Sequence, residues 1–176
     1  MNQLVRQERP GDEAAIRRIH TLAFAPDDPP APSTVEADLV DALRVSDAWI
    51  PRLSLVAVDG DEVTGHVLCT RAVVGEERHP VLGLAPLAVL PAFQRRGIGE
   101  ALVHAVLGAA DALGEALVGV LGDPGYYGRF RFVLSDRFGI HPTDPSWAPH
   151  FQVRPLAAYH EGLRGTFRYA AAFDTL

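Results

Sequence analysis

The sequence is poor in cysteine and in long apolar runs. Its single cysteine, Cys69, excludes an intrachain disulfide and is typical of a reducing compartment. No run approaches the roughly 20 apolar residues of a membrane-spanning helix, and the first residues lack the apolar core of a signal peptide. We therefore expect a cytoplasmic protein without a membrane partner.

Basic charge and metal-ligand patterns are scarce as well. The formal net charge is −6, whereas a general nucleic-acid binder presents a basic surface, so we expect no nucleic-acid partner. The seven histidines show no His-x-x-x-His spacing, and one cysteine cannot form a Cys-x-x-Cys pair. We therefore predict no metal site. The sequence also lacks the Gly-x-Ser-x-Gly signature of a hydrolase nucleophile.

The composition and the periodicity indicate one domain of mixed structure. The chain has 176 residues, of which 48% are hydrophobic and 22% charged, and we predict a single domain over residues 1–176. Apolar residues at helical spacing predict one helix between Asp12 and Pro26 and a second that starts in the capping pattern at residues 33–36. Strands are predicted at residues 4–8, 54–58, 62–74, 81–90, 117–121, 133–140, 150–156 and 166–173.

These elements predict an α/β fold. Its mixed, mostly antiparallel sheet has about seven strands flanked by helices. The strand at residues 117–121 follows a helix that follows the strand at 81–90, an order that favours parallel pairing. We expect the last two strands, 150–156 and 166–173, to form a closing antiparallel pair.

The most informative stretch runs over residues 84–113. A short apolar run ends at Pro91, as expected of a buried strand, and a polar turn follows. Apolar residues then recur at helical spacing from Ile98, and Gly114 stands where a helix C-terminus favours glycine. The junction reads Gln-Arg-Arg-Gly-Ile-Gly over residues 94–99.

This junction has the features of a phosphate cradle. The first N–H groups of a helix lack intrahelical partners and carry partial positive charge, and glycine lets a ligand approach the backbone closely. A Walker loop is excluded because no Gly-Lys-Ser/Thr follows, and a dinucleotide fingerprint is excluded because Leu102 replaces its third glycine. Taken alone, the pattern is equally compatible with a structural turn.

Residues 87–102 resemble the acetyl-CoA signature of the GNAT superfamily of N-acetyltransferases, in which Gln/Arg-x-x-Gly-x-Gly/Ala follows a strand and opens a helix. Residues 122–132, which read GDPGYYGRFRF, resemble the GDPAYYGRFGF segment of a branch of small bacterial predicted acetyltransferases. Residues 169–173 resemble the closing strand of the same branch. The resemblance covers the chain from about Val35 onward.

The resemblance implies a GNAT-like fold and an acetyl-CoA-dependent N-acetyltransferase, in which a primary amine of a small molecule or peptide attacks directly in a ternary complex. The strand edge at Leu87, Ala88 and Val89 would bind the pantetheine arm. Backbone N–H groups from Arg96 to Glu100 would bind the pyrophosphate. The predicted cofactor-binding residues are Leu87, Ala88, Val89, Gln94, Arg95, Arg96, Gly97, Ile98, Gly99 and Glu100.

The resemblance also implies a general acid, Tyr127, which aligns with the family tyrosine. A phenol with a pKa of about 10 is protonated at neutral pH and suits a thiolate leaving group. Tyr126 is read as packing or pocket lining. The general base stays open among Glu36, Asp38, His66, Asp123 and a chain of water molecules. Of these, Asp123 is more typical of a helix cap and His66 of a core histidine.

Three further expectations depend on weaker observations. Arg131 stands where the branch has glycine, and an arginine would be strained there if that position has a positive φ. A non-catalytic acyl-CoA sensor is therefore the alternative function. The proline-rich loop at residues 26–32 is either a rim of the acceptor pocket or a surface connection. Exposed strand edges could support a homodimer.

Overall fold

Nine strands form one mixed sheet in the computed structural model, which describes residues 3–24 and 33–175 of the chain. The strands are β1 (Gln3–Gln7), β2 (Ser54–Asp59), β3 (Glu62–Val74), β4 (His79–Val89), β5 (Leu117–Leu121), β6 (Val133–Leu134), β7 (Ile140–Pro142), β8 (Phe151–Pro155) and β9 (Gly165–Arg168). The main order is β1-β2-β3-β4-β5-β8-β6, and β9 lies between β3 and β7. The mixed, mostly antiparallel sheet predicted from the sequence is confirmed.

Four α-helices accompany the sheet in the described ranges: α1 (Glu13–Phe24), α2 (Val35–Arg44), α3 (Ile98–Ala112) and α4 (Pro124–Tyr127). Helix α2 starts near the predicted pattern at residues 33–36, but its cap is Thr34 and not Ser33: the Thr34 hydroxyl accepts a hydrogen bond from the Ala37 N–H at 3.3 Å, whereas the Ser33 hydroxyl binds Asp38. Helices α1 and α2 cover one face of the sheet and α3 covers the other. Within the described ranges, none of these helices is both long and apolar enough to cross a bilayer.

The central strands are buried on both faces because neighbouring residues face different helices. Along β2, Val56 packs with the α1 and α2 side chains, whereas Leu55 and Ala57 pack with α3. Along β4, Ala88 packs with α1, whereas Leu87 packs with α3. This arrangement explains the near-continuous apolar runs of both strands.

The sheet opens between β4 and β5. The two strands are parallel, as predicted, but they pair only at Leu82–Val118 and Gly83–Gly119. On the other side of β4 the pairing with β3 continues to its end, through a bulge in which two residues, 85 and 86, face the single residue Leu68. The edge of β4 beyond Gly83 therefore has no partner in β5.

The strand count and the closing pair differ from the prediction. Residues 133–140, predicted as one strand, form the two short strands β6 and β7 with a 3₁₀ turn at Ser135–Phe138 between them. The prediction that the last two strands pair with each other is wrong, because β8 pairs with β5 and β6, and β9 pairs with β3 and β7. Since β2 pairs with β3 only as far as Leu68, the end of β3 is left free for β9.

The closing segment is also shorter than predicted. Strand β9 ends at Arg168, and Ala171–Thr175 form a 3₁₀ helix instead of continuing the strand. The edge of β3 that β9 follows is occupied at the next position, where the Arg71 N–H donates to the Ala48 carbonyl at 2.9 Å. Strand β9 therefore ends where the next backbone donor of β3 is already bound to Ala48.

Two fully buried histidines connect α1 to the sheet. His20 Nε2 lies 2.8 Å from His66 Nδ1, and Ser54 Oγ lies 2.9 Å from His66 Nε2. Burial lowers the pKa of His20 to about 4 and the pKa of His66 well below its ordinary value. Both imidazoles are therefore neutral at pH 7, and His66 is the hydrogen-bonded core residue that the sequence favoured.

Arg131 occupies a left-handed backbone conformation. Its φ is +63° and its ψ is +24°, directly after a 3₁₀ turn at Gly128–Phe130. This is the positive φ anticipated for a position at which the branch carries glycine. An L-residue with a Cβ is disfavoured in this region, so the arginine stores local strain.

We expect acidification to destabilise the protein through these histidines. The folded pKa values lie below the unfolded value of about 6.5, so stability is complete above pH 6.5 and is lost as the pH falls towards 4. For His20 alone the loss between pH 7.5 and pH 5 is on the order of 2 kcal/mol. Urea unfolding at the two pH values measures it.

The variant for this test removes both histidines together, H20L/H66L, because either one alone would leave its partner without a hydrogen bond. Its stability should vary less with pH than that of the wild type. His104→Gln is the control, since His104 is exposed and its replacement should leave the pH dependence unchanged. If acidification lowers the stability of the double variant as much as that of the wild type, the pH dependence does not come from these two histidines.

We expect Arg131→Gly to stabilise the fold by about 1 kcal/mol, because glycine adopts the left-handed region without the Cβ clash. Arg131→Ala is the matched control: it removes the same side chain but keeps the Cβ, and should give no such gain. Urea midpoints of the three proteins measure the difference. Equal stabilisation by both substitutions would show that the side chain, not the backbone, is unfavourable.

Candidate active site

The start of α3 leaves its first backbone donors available to a ligand. Gly97 precedes the helix with a φ of +81°, and Ala101 is the first residue to donate back, to the Gly97 carbonyl at 2.9 Å. In the described part of the chain, the N–H groups of Ile98, Gly99 and Glu100 have no acceptor. Together with the helix dipole they form an anion-binding site.

Gly99 also makes room for a tyrosine above this site. A Cβ on Gly99 would lie 2.7 Å from the Tyr126 hydroxyl oxygen, so no larger residue fits without displacing the ring. The Arg129 guanidinium stacks over the Tyr126 ring at 4.6 Å from its centroid. Tyr126, which the sequence placed in packing or pocket lining, therefore covers the helix start together with an arginine.

A cavity of about 600 Å³, which we call the cradle cavity, lies over the start of α3. It brings together nine of the ten predicted cofactor-binding residues: Leu87, Ala88, Val89, Gln94, Arg95, Gly97, Ile98, Gly99 and Glu100. The tenth, Arg96, stacks instead on the Phe93 ring at 5.2 Å, outside this lining.

Sequence reasoning missed two residues of the cradle cavity. Phe93 and Arg129 also line it, in addition to Tyr126. Phe93 lies in the turn before the glycines, and Arg129 belongs to the GDPGYYGRFRF segment, so both were inside quoted motifs. Their roles depend on how α4 folds back over α3, which local patterns do not reveal.

The free edge of β4 presents backbone groups to this cavity. The Leu90 N–H donates to Thr64 on β3 at 2.9 Å, whereas the Val89 carbonyl accepts from the Gln94 side-chain amide at 3.1 Å, away from β3. Hydrogen-bonding directions alternate along a strand. The N–H and carbonyl of Leu87 therefore point to the same open side as those of Val89, where an extended ligand can pair with them.

A second cavity, which we call the acceptor cavity, has a volume of about 570 Å³ and lies beyond the gap between β4 and β5. Leu87 lines both cavities, so they meet at the open edge of β4. The lining residues are Phe24, Glu36, Leu39, Leu84, Ala85, Pro86, Leu87, Leu121, Gly122, Tyr127, Trp147, Tyr169 and Phe173. The proline-rich loop at residues 26–32, a predicted rim, lies outside the described residues.

Tyr127, the predicted general acid, is held at the acceptor cavity by close packing. A Cβ on Gly122 would lie 2.4 Å from the Tyr127 ring, so the ring rests on bare backbone. The Tyr126 and Phe132 rings meet it edge-on, with centroids 5.0 and 5.6 Å away. Burial raises the pKa of Tyr127 above its ordinary value of about 10, which keeps the phenol protonated at neutral pH.

The candidate bases are separated by the fold. Glu36 lines the acceptor cavity, and its carboxylate forms no hydrogen bond or ion pair with the described part of the chain. Asp38 is bound to Arg17 and to Ser33. Asp123 caps α4, as its Asp-Pro-Gly context favoured, and accepts from the Gly125 N–H at 2.8 Å. The buried His66 belongs to the lining of neither cavity.

A basic cavity adjoins the cradle cavity. It has a volume of about 360 Å³, and its lining contains three arginines, Arg129, Arg131 and Arg154, and one carboxylate, Asp111. Arg129 lines both, so the positive charge continues from the helix start along the side of α3. The strained Arg131 is therefore one wall of a concave, cationic surface next to the anion-binding site.

Comparison with known proteins agrees with this geometry. The model of the acetyltransferase (GNAT) family matches residues 14–122. The uncharacterized N-acetyltransferase YhbS of Escherichia coli K12 is 34% identical over 173 residues, 97% of this chain and 98% of that protein. The uncharacterized N-acetyltransferase YjhQ of the same organism is 37% identical over 123 residues, which span 69% of this chain and 64% of that protein, slightly less than two thirds.

Two solved structures share the fold over nearly the whole chain. The crystal structure of Escherichia coli YhbS in complex with CoA has a TM-score of 0.87 at 32% identity and covers 98% of this chain and 92% of that one. A GNAT family acetyltransferase of Brucella melitensis in complex with acetyl-CoA has a TM-score of 0.79 at 34% identity, with coverages of 98% and 99%. The chain thus belongs to the GNAT family of acetyltransferases.

Proposed function

We propose that the protein is an N-acetyltransferase that transfers the acetyl group of acetyl-CoA to a primary amine by direct attack in a ternary complex. The observation that carries the proposal is the open edge of β4 at Leu87, where the cradle cavity and the acceptor cavity meet. One ligand can reach this edge from the helix start, and a second from the side of Tyr127.

The cradle cavity fits acetyl-CoA. The unpaired N–H groups at the start of α3 suit a pyrophosphate, and the bare Gly97 and Gly99 permit its close approach. The open N–H and carbonyl of Leu87 and the open N–H of Val89 suit the amides of a pantetheine arm, whereas the Val89 carbonyl accepts from the Gln94 side chain. The CoA and acetyl-CoA bound to the two solved relatives support this choice.

Positive charge around the cradle serves the phosphates. In this proposal Arg95 and Arg129 line the path of the pyrophosphate, and the basic cavity offers Arg131 and Arg154 to the 3′-phosphate of CoA. Arg96, stacked on Phe93, contributes through its backbone N–H and through its charge. This local cationic surface explains how a chain of net charge −6 binds a polyanion.

The chemistry requires a donor on each side of the thioester. Bound acetyl-CoA supplies a carbonyl carbon that the amine attacks directly, with the CoA thiolate as leaving group. The Leu87 or Val89 N–H is directed to the carbonyl oxygen from the open edge of β4. The Tyr127 hydroxyl donates its proton to the leaving sulfur, since its raised pKa keeps it in the acid form.

Isothermal titration with acetyl-CoA tests the cofactor site. The wild type should bind, and Gly97→Glu should not, because the new carboxylate would stand among the donors of the cradle and a side chain is strained at a φ of +81°.

Gly114→Glu is a matched control for this experiment. Gly114 follows the other end of α3, with a φ of +76° and the same open space around a built Cβ, so backbone strain and added charge are equal. Acetyl-CoA should bind to it as to the wild type. Absence of binding by the wild type would refute the proposed function.

Tyr127→Phe tests the general acid. Removal of the hydroxyl should lower kcat on the order of 10²-fold or more and leave the Kd for acetyl-CoA nearly unchanged. Tyr126→Phe removes a neighbouring hydroxyl that faces the cradle cavity and should leave kcat close to the wild-type value. If Tyr127→Phe retains full kcat, another donor protonates the thiolate. A wild type that binds acetyl-CoA without turnover of any amine would favour the sensor.

A further inference from the structure

The acceptor cavity has a chemical character that narrows its substrate. We propose that the acceptor is a compact primary amine carried on an aromatic or other apolar body, without a carboxylate of its own, and that Glu36 binds its ammonium group. This inference rests on the proposed function, because it names the acceptor for the same reaction.

The walls of the acceptor cavity are apolar and aromatic. Among the described residues that line it, Glu36 is the one with a formal charge. Five aromatic side chains belong to the lining, namely Phe24, Tyr127, Trp147, Tyr169 and Phe173, and Phe24 and Trp147 remain 41% and 36% exposed. Exposed aromatic surface around a cavity of this size favours an apolar ligand body, which gains by leaving water.

Glu36 is available to a ligand cation because no side chain of the described chain neutralises it. The other carboxylates of α2 are used internally: Asp38 and Asp41 bind Arg17, and Asp41 also binds Arg44. An ammonium group supplies the missing charge and the hydrogen-bond donors.

Because Glu36 and Tyr127 line the same cavity, an amine bound at Glu36 lies on the side from which it can attack the thioester. The ammonium bound at Glu36 enters beside the open edge of β4, where the thioester carbonyl is directed. For an acceptor that arrives as an ammonium ion, the products are the amide, the CoA thiol and one proton. One ammonium proton is released to solvent before attack, and the proton that the amine loses on attack restores the one that Tyr127 gives to sulfur.

The same features disfavour other amines. An amino acid places a carboxylate next to its amine, which Glu36 repels and no basic side chain in the described lining compensates. A polyamine carries a second ammonium that would be desolvated among apolar walls. A phenylethyl-type amine has one cation for Glu36 and a ring for Trp147 and Phe173.

The test uses a matched pair of probes, 2-phenylethylamine and phenylalanine, which differ by one carboxylate, together with spermidine. Both kcat/KM with acetyl-CoA and the Kd of each probe for the protein–CoA complex are measured. We expect 2-phenylethylamine to be preferred by at least about tenfold in each measure. Glu36→Gln should weaken its binding about tenfold or more, mainly through KM, and leave the Kd for acetyl-CoA unchanged.

Two further variants separate recognition from folding. Glu36→Asp keeps the charge and should restore part of the affinity for 2-phenylethylamine. Glu76→Gln makes the same chemical change as Glu36→Gln at an exposed position outside the acceptor cavity, and should match the wild type. If Glu36→Gln prefers 2-phenylethylamine over phenylalanine as strongly as the wild type does, the inference is overturned.

The binding arm keeps this test distinct from the test of the proposed function. If 2-phenylethylamine binds and Glu36→Gln weakens this binding about tenfold or more, the inference is supported even without turnover. The lack of turnover would then contradict the proposed function alone. Equal or tighter binding of phenylalanine or spermidine overturns the inference, as does absence of binding by 2-phenylethylamine. If the protein acetylates phenylalanine or spermidine instead, the inference about the acceptor is wrong, but the proposed N-acetyltransferase function still stands.

Discussion

The unpaired edge of β4 is the constraint on which the rest of the site depends. Strands β4 and β5 share two paired positions and then diverge. Within the described residues, the N–H and carbonyl of Leu87 and the N–H of Val89 therefore have no strand partner, although the strands around them are hydrogen-bonded. Unpaired backbone groups are unfavourable when buried. A ligand that supplies the missing partners is therefore favoured there. The gap also joins the two faces of the protein, since the cradle cavity and the acceptor cavity meet at Leu87.

Close contacts with glycine hold the aromatic groups of the site in place. The Tyr127 ring rests on Gly122, and the Tyr126 hydroxyl lies over Gly99, at distances that leave no room for a Cβ. Such contacts fix the ring positions through packing, and no described residue forms a hydrogen bond that would compete for the phenol protons. Arg131 is the opposite case, because its side chain is kept in a left-handed conformation that glycine would adopt more easily. Its place in the basic cavity gives a reason why this strain is retained.

The parts of the site that are formed by neighbouring residues in the chain could be predicted from the sequence. The cradle is one contiguous motif, so the residues from Gln94 to Glu100 reach one cavity through local geometry, with Arg96 as the exception. The capping role of Asp123 and the parallel pairing of β4 with β5 were equally local. The partners of β8 and β9 were predicted wrongly, because strand pairing depends on which edges are free. That in turn depends on where β2 ends and where Ala48 binds β3.

By itself, the sequence predicted most of the elements and the features of an anion-binding helix start at α3, because these follow from propensities and helix dipoles within short segments. It proposed Tyr127 as an acid only through resemblance to a family segment. Only the tertiary structure decided that, of the four candidate side chains, Glu36 is the one that lines the acceptor cavity without a partner among the described residues. It also decided that Arg129 covers the cradle from a distant segment. The physical reason is that burial, pairing and proximity are properties of folded neighbours, and no spacing along the chain specifies which carboxylates will find an arginine.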